Sequence, residues 1–209
     1  MTDLNLPETL QKRLEMPLPG TTAHDEMKAR QLNGEFIKFR DQPNKRYGAV
    51  MVLLYMKDGS WHFPVIKRPE YDGIHGGQIS LPGGKTEPDD DNLHRTALRE
   101  TEEEIGVPSG RIDVLGDLTS FYVGASNYQV QPVVGFTSDP PSFVPDPSEV
   151  AEVIEIPVSE LMDISKRRER EIDVRGFKLM APYFDIKSQF IWGATAMMLN
   201  EFITVIREI

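Results

Sequence analysis

The 209-residue chain contains no cysteine. Disulfides, thiolate metal sites and a cysteine nucleophile are therefore excluded. No stretch approaches the roughly 18 apolar residues that a membrane-spanning helix needs. The N-terminal MTDLNLPETLQKRLEM has no apolar core of the signal-peptide kind. Basic residues are in deficit: 23 Lys and Arg stand against 33 Asp and Glu, for a net charge of −10. Such a surface repels the backbone of nucleic acid. A small anionic substrate remains possible, because a bound divalent ion inverts the local field. These absences predict a soluble, cytoplasmic protein that engages neither nucleic acid nor membrane. Hydrophobic residues at 39% and charged residues at 27% are ordinary globular values, and the length fits one large domain or one domain with an appended element.

Apolar and charged residues alternate at helical spacing from Leu4 to Met16, which predicts an N-terminal helix ended by Pro17 and Pro19-Gly20. A weaker helix is expected over Ala23 to Leu32. RYGAVMVLLYM and WHFPVI flank Lys57-Asp58-Gly59-Ser60, the pattern of a hairpin. A short strand at Gln78 to Leu81 leads into Pro82-Gly83-Gly84. A helix from Asp91 to Ile105 follows, stopped by Gly106 and Pro108. Further strands are expected at Ile112–Phe121, Gln129–Phe136, Val150–Ile156 and Phe177–Ile186, with a short helix at Val158–Met162. The charged run Lys166 to Glu171 reads as a solvated loop or helix end, and Trp192 to Ile209 as a long amphipathic helix. Strands before and after a central helix indicate a mixed α/β layered fold.

The segment Glu100-Thr101-Glu102-Glu103-Glu104 places four carboxylates in five residues. Like charges three and four apart on a helix repel one another. At about 100° per residue, Leu98, Thr101 and Ile105 fall on one side with His94, and Glu100, Glu103 and Glu104 fall opposite. Glu102 points away from that trio. A salt-bridged surface helix would place cations amid the glutamates, and Arg95 and Arg99 do not lie centrally. Hard cations such as Mg²⁺ and Mn²⁺ take carboxylate oxygens, often together with substrate phosphates. A carboxylate trio beside a Gly-rich loop is suited to hold one.

Gly83 to Val107 closely resembles the Nudix box, in which a glycine and an early glutamate precede Arg-Glu-U-x-Glu-Glu-x-Gly-U, U being apolar. Arg99-Glu100, Glu103-Glu104, Gly106 and Val107 stand in their places. The stretch before Arg99 is one residue longer than the general pattern, Asp90 replaces the early glutamate, and Thr101 replaces an apolar residue. The first two departures resemble the coenzyme A diphosphatase branch, whose box opens with Pro-Gly-Gly and an Asp-rich loop. Upstream, Val65-Ile66-Lys67-Arg68, Gly77 and Pro82-Gly83-Gly84 are similar to that branch's signature. Pro69, Gly73 and Leu81 replace its Ser/Ala, second Arg and Phe. Tyr128 to Gly135 and Phe190 to Ala196 look like further branch features.

The resemblance implies a Nudix fold, a mixed β-sheet sandwiched between α-helices, over residues 46–209, with 1–45 as a helical extension. It implies a Mg²⁺- or Mn²⁺-dependent hydrolase of a nucleoside diphosphate derivative, foremost coenzyme A or its derivatives. Glu100, Glu104 and Glu103 become metal ligands, with a carbonyl near Gly84 completing the shell. Glu103 could instead accept the water's proton, as could Glu149 or Glu152, and Arg99 orients the glutamates. Arg68, His75, Gln78 and Lys85 become substrate contacts, and Phe121, Tyr122 and Tyr128 possible stacking surfaces for adenine. The rivals are a Nudix hydrolase of ADP-ribose, NADH or a nucleoside triphosphate, and a catalytically silent nucleotide-binding module. A homodimer through the C-terminal helix would use Phe202, Ile203 and Ile206.

Overall fold

The structure is a computed structural model and describes residues 5–37, 42–70, 77–174 and 176–209. In chain order the elements are α1 (Leu6–Leu14), α2 (Thr21–Asp25), β1 (Arg30–Gln31), β2 (Arg46–Lys57), β3 (Ser60–Lys67), β4 (Ile79–Ser80), β5 (Gly83–Lys85) and α3 (Leu93–Ile105). There follow β6 (Asp113–Asp117), β7 (Phe121–Val123), β8 (Tyr128–Phe136), β9 (Glu152–Pro157), α4 (Val158–Met162), β10 (Arg167–Val174), β11 (Phe177–Ile186), β12 (Gln189–Trp192) and α5 (Gly193–Arg207).

The β2–β3 hairpin turns at Asp58-Gly59, both with positive φ (49° and 73°), a turn whose twist suits the flanking strands. β2 is the centre of a mixed sheet. It runs antiparallel to β3 and β5 and parallel to β8, while β6 and β7 add antiparallel to β8, and β4 and β9 to β3. α3 belongs to the crossover between the parallel strands β2 and β8. A second sheet joins β1, β10 and β12 to β11.

Alternate residues of β2 face opposite ways, so two cores form. Ala49, Met51 and Leu53 meet Ala97 and Ile105 of α3. Val52 and Leu54 belong to a larger core with α1, α5 and the second sheet. The expected sandwich of mixed sheet and helices is thus the observed fold. Leu6, Leu10 and Leu14 of α1 are part of the larger core. There α1 lies so close to β6 that a β-carbon on Gly116 would stand 3.0 Å from Leu14 Cβ.

Several expectations are corrected. The second helix stops at Asp25, and Arg30–Gln31 pairs with β11 instead. The strand expected over Ile112–Phe121 divides into β6 and β7, with a register shift between Val114 and Gly116. The charged run from Lys166 is neither loop nor helix end beyond its first residue, because Arg167–Val174 pairs along its whole length with β11. Phe202, Ile203 and Ile206 are no dimer surface: they are 0%, 2% and 1% exposed and packed in the core. Among the described residues, no helix is long and apolar enough to cross a membrane.

Candidate active site

The glutamate-rich segment is held in α3 by a cap at each end. The Asn92 side chain accepts from the Arg95 N–H (2.9 Å). Gly106 closes the helix in the left-handed region (φ 72°). The inward face differs from the simple wheel expectation. Ala97, Thr101 and Ile105 are buried against the sheet, together with Glu100 and Glu104. Leu98 is half-buried, and His94 sits on the flank with Nε2 2.8 Å from Asp117. The small Ala97 allows close approach to β2, and the glycines of β5 leave room for the carboxylates. A β-carbon on Gly84 would stand 2.5 Å from Glu100 Oε2.

Glu104 is the most enclosed acid of the group, 1% exposed. Its Oε2 accepts from the Gly83 N–H at 2.7 Å. Its Oε1 is buried with no hydrogen-bond partner, and the Arg68 Nη2 is 3.5 Å away. Burial pushes the Glu104 carboxyl up to about 7. The Gly83 N–H and the Arg68 charge oppose the rise, while Glu100 and Glu149 add to it. Burial also raises Glu100, against the opposing pull of Arg99.

Glu149 completes the group. Oxygens of Glu100, Glu104 and Glu149 all lie within 4.8 Å of one another. Glu149 follows Glu104 by 45 positions and is brought in by backbone pairing. Val144 N–H donates to Ile105 C=O (2.9 Å) and Asp146 N–H to Glu104 C=O (3.1 Å), so the loop is stitched to the end of α3. Sequence reasoning offered Glu149 only as a proton acceptor, because no spacing rule links it to the box. Glu152, the other acceptor candidate, is exposed at the start of β9.

Glu103 stands apart from this trio. Its side chain is 58% exposed and pairs with Arg99. Arg99 connects the site to the loop before α3. Its Nη1 donates to Glu100 Oε1 (3.0 Å) and Glu103 Oε2 (2.8 Å), and its Nη2 donates to the Lys85 C=O (2.9 Å). Its Nε and Nη2 grip both oxygens of Asp90 (3.1 and 2.9 Å). That guanidinium holds the Asp90 carboxyl well below its usual range.

Of the expected substrate contacts, Arg68 lies between Gly83 and Glu104, and its backbone N–H donates to the Gln78 C=O (3.0 Å). Lys85 extends into solvent, with Glu87 3.6 Å away. A β-carbon on Gly48 of β2 would stand 2.4 Å from the Gly84 carbonyl oxygen. His75, with Gly73 and Gly76, lies outside the described residues. Phe121 packs near His24, Tyr122 donates to Asn127, and Tyr128 carries the Arg46 guanidinium 4.4 Å from its ring centre.

A divalent cation fits this donor set. Three carboxylates converge, one buried oxygen accepts no hydrogen bond, and the adjoining backbone is glycine. Hard cations take such oxygens.

Residues 45–176 match the model of the NUDIX domain family. The uncharacterized Nudix hydrolase NudL of Yersinia pestis is 36% identical over 147 residues, which cover 66% of this chain and 73% of that protein. A Nudix hydrolase of M. smegmatis, RenU, superposes with a TM-score of 0.56 at 17% identity, covering 87% of this chain and 94% of that one. A C. elegans Ap4A hydrolase superposes with a TM-score of 0.52 at 14% identity, over 78% of this chain and 99% of that one. At those identities the two structures attest the fold.

Proposed function

This chain belongs to the Nudix family as a hydrolase of nucleoside diphosphate derivatives, and from that premise we propose that it cleaves coenzyme A, or a coenzyme A derivative, to adenosine 3′,5′-bisphosphate and 4′-phosphopantetheine. The buried Glu104 Oε1, which accepts no hydrogen bond, beside Gly83-Gly84 carries the metal-dependent part of this reading. Pro82-Gly83-Gly84, the lengthened box and Asp90 support the substrate.

Glu100, Glu104 and Glu149 would hold Mg²⁺ or Mn²⁺. When bound, such an ion neutralises phosphate charge and makes water more acidic. The chain's own residues do the rest. Arg99 fixes the Glu100 and Glu103 carboxylates against Asp90. Glu103, solvent-facing and outside the trio, takes the proton of the attacking water. The water oxygen bonds to one phosphorus, and the bridging oxygen leaves with the other phosphate. Arg68 presents a cation to the diphosphate, and Lys85, Gln78 and His75 contact the remainder of the substrate.

A substrate panel tests this reading: coenzyme A, acetyl-coenzyme A, dephospho-coenzyme A, ADP-ribose, NADH and a nucleoside triphosphate, with Mg²⁺ or Mn²⁺. The expected result is fast, metal-dependent release of 4′-phosphopantetheine, slowed about a hundredfold or more in Glu103→Gln. Preference for ADP-ribose or NADH would overturn the substrate assignment, and no turnover with intact metal binding would overturn the catalytic one.

A further inference from the structure

One residue past Gly84, the chain enters an open groove of about 560 Å³, one of whose lining residues, Asp90, is held by Arg99. Arg46, Tyr47, Tyr128, Lys85, Asp90 and Asp91 are among the residues that line it. Two of the lining residues are tied together: the Thr86 N–H donates to the Tyr47 C=O (3.0 Å). Arg46 is already oriented: its guanidinium lies over Tyr128 and its Nη2 donates to the Ser126 C=O. Tyr47 is 53% exposed at the start of the central strand. Two cations and two acids face the groove, but both oxygens of Asp90 are taken by Arg99.

We propose that this groove binds the adenosine 3′-phosphate end of the substrate, with the base on the exposed Tyr47 ring and the 3′-phosphate between Arg46 and Lys85. Every purine has a face to stack on an aromatic ring or guanidinium. A phosphate matches the fork of an arginine. The pantetheine arm is uncharged and uses neither cation. The groove begins at Lys85, beside the glycine covered by Glu100, so a diphosphate at the trio can place its nucleoside there. The inference rests on the coenzyme A reading.

Calorimetric titration of adenosine 3′,5′-bisphosphate into the metal-free protein tests the groove without turnover. Arg46→Gln and Tyr47→Ala are each expected to weaken binding about tenfold, and Arg46→Lys less. Adenosine 5′-monophosphate, which lacks the 3′-phosphate, should be insensitive to Arg46→Gln. In turnover, Arg46→Gln should raise KM for coenzyme A, leaving kcat and the KM for dephospho-coenzyme A within about twofold. Circular dichroism identifies any variant that fails to fold, and the Arg46→Lys comparison then carries the test. Unchanged bisphosphate affinity in folded variants overturns the groove, even if coenzyme A is hydrolysed. Weakened affinity without coenzyme A turnover overturns the substrate reading and supports the groove as a nucleotide site.

Discussion

The Glu100 carboxylate covers Gly84 so closely that a β-carbon there would lie within 2.6 Å of both its oxygens. Gly84 is not in the left-handed region, so its backbone tolerates alanine. The cost of Gly84→Ala falls on the carboxylate, which must swing away from Glu104 and Glu149. Mn²⁺ affinity, read by calorimetry, should fall at least about tenfold, as when a metal site loses its supporting shell. Unchanged affinity would show that Glu100 is not held at a metal by this contact. Gly83→Ala adds backbone strain, because Gly83 sits at φ 149° and its β-carbon would meet the Ala49 carbonyl at 2.3 Å.

Glu104 links metal, pH and stability. Its carboxyl is displaced from 4.5 up to about 7 by burial. The folded chain therefore holds this proton more tightly than the unfolded chain, and stability falls as pH rises between those values. A displacement of that size is worth on the order of 3 kcal/mol. Metal-free protein should melt at a lower temperature at about pH 8 than at about pH 5, and Glu104→Gln should flatten that slope while abolishing stabilisation by Mn²⁺. An unchanged slope in Glu104→Gln would place the effect on another group.

Glu103 and Glu149 should separate when each becomes glutamine. Glu149 shares the oxygen cluster with Glu100 and Glu104, whereas Glu103 is 58% exposed and bonded to Arg99. Glu149→Gln should weaken Mn²⁺ binding. Glu103→Gln should keep it and lower kcat by about a hundredfold or more. The reverse pattern would exchange the two roles.

The box helix was legible in the sequence because its signals are local: Gly106 and Pro108 stop it and the glutamates recur at fixed spacing, although it starts at Leu93, after the Asn92 cap, rather than at Asp91. Its orientation was legible only in part: Thr101 and Ile105 face the core as the wheel places them, but Glu100 and Glu104 do not face solvent. A wheel that ranks residues by polarity turns Glu100 and Glu104 to solvent, whereas Ala97 and the glycines of β5 make room for them inside. Glu149 reaches the site through hydrogen bonds from Val144 and Asp146 to the end of α3, a tertiary event without a spacing. β10 was missed for a related reason. Its Arg and Glu residues carry no apolar stripe on either face, and pairing with β11 alone makes them a strand.

Glu201 anchors the N-terminal segment far from the carboxylate trio in sequence. Its carboxylate is fully buried and accepts four bonds: from the Gly20 N–H (3.0 Å), the Thr119 hydroxyl (2.6 Å), the Thr119 N–H (3.1 Å) and His24 Nε2 (2.8 Å). Burial raises its pKa, but the bonds from His24, Thr119 and Gly20 outweigh that and lower it. This stabilisation is present above the ordinary carboxyl range and is lost as pH falls through it. A glutamine offers one acceptor oxygen to donors that occupy two. Glu201→Gln should cost roughly 2–3 kcal/mol and lower Tm by roughly 5–10 °C. Trypsin should then cut faster at Lys28 and Arg30, since α2 loses its tie to α5, while kcat at low temperature stays within about twofold. If Tm and cleavage both match the wild type, the four bonds do not hold the segment, and the leucines of α1 carry that load alone.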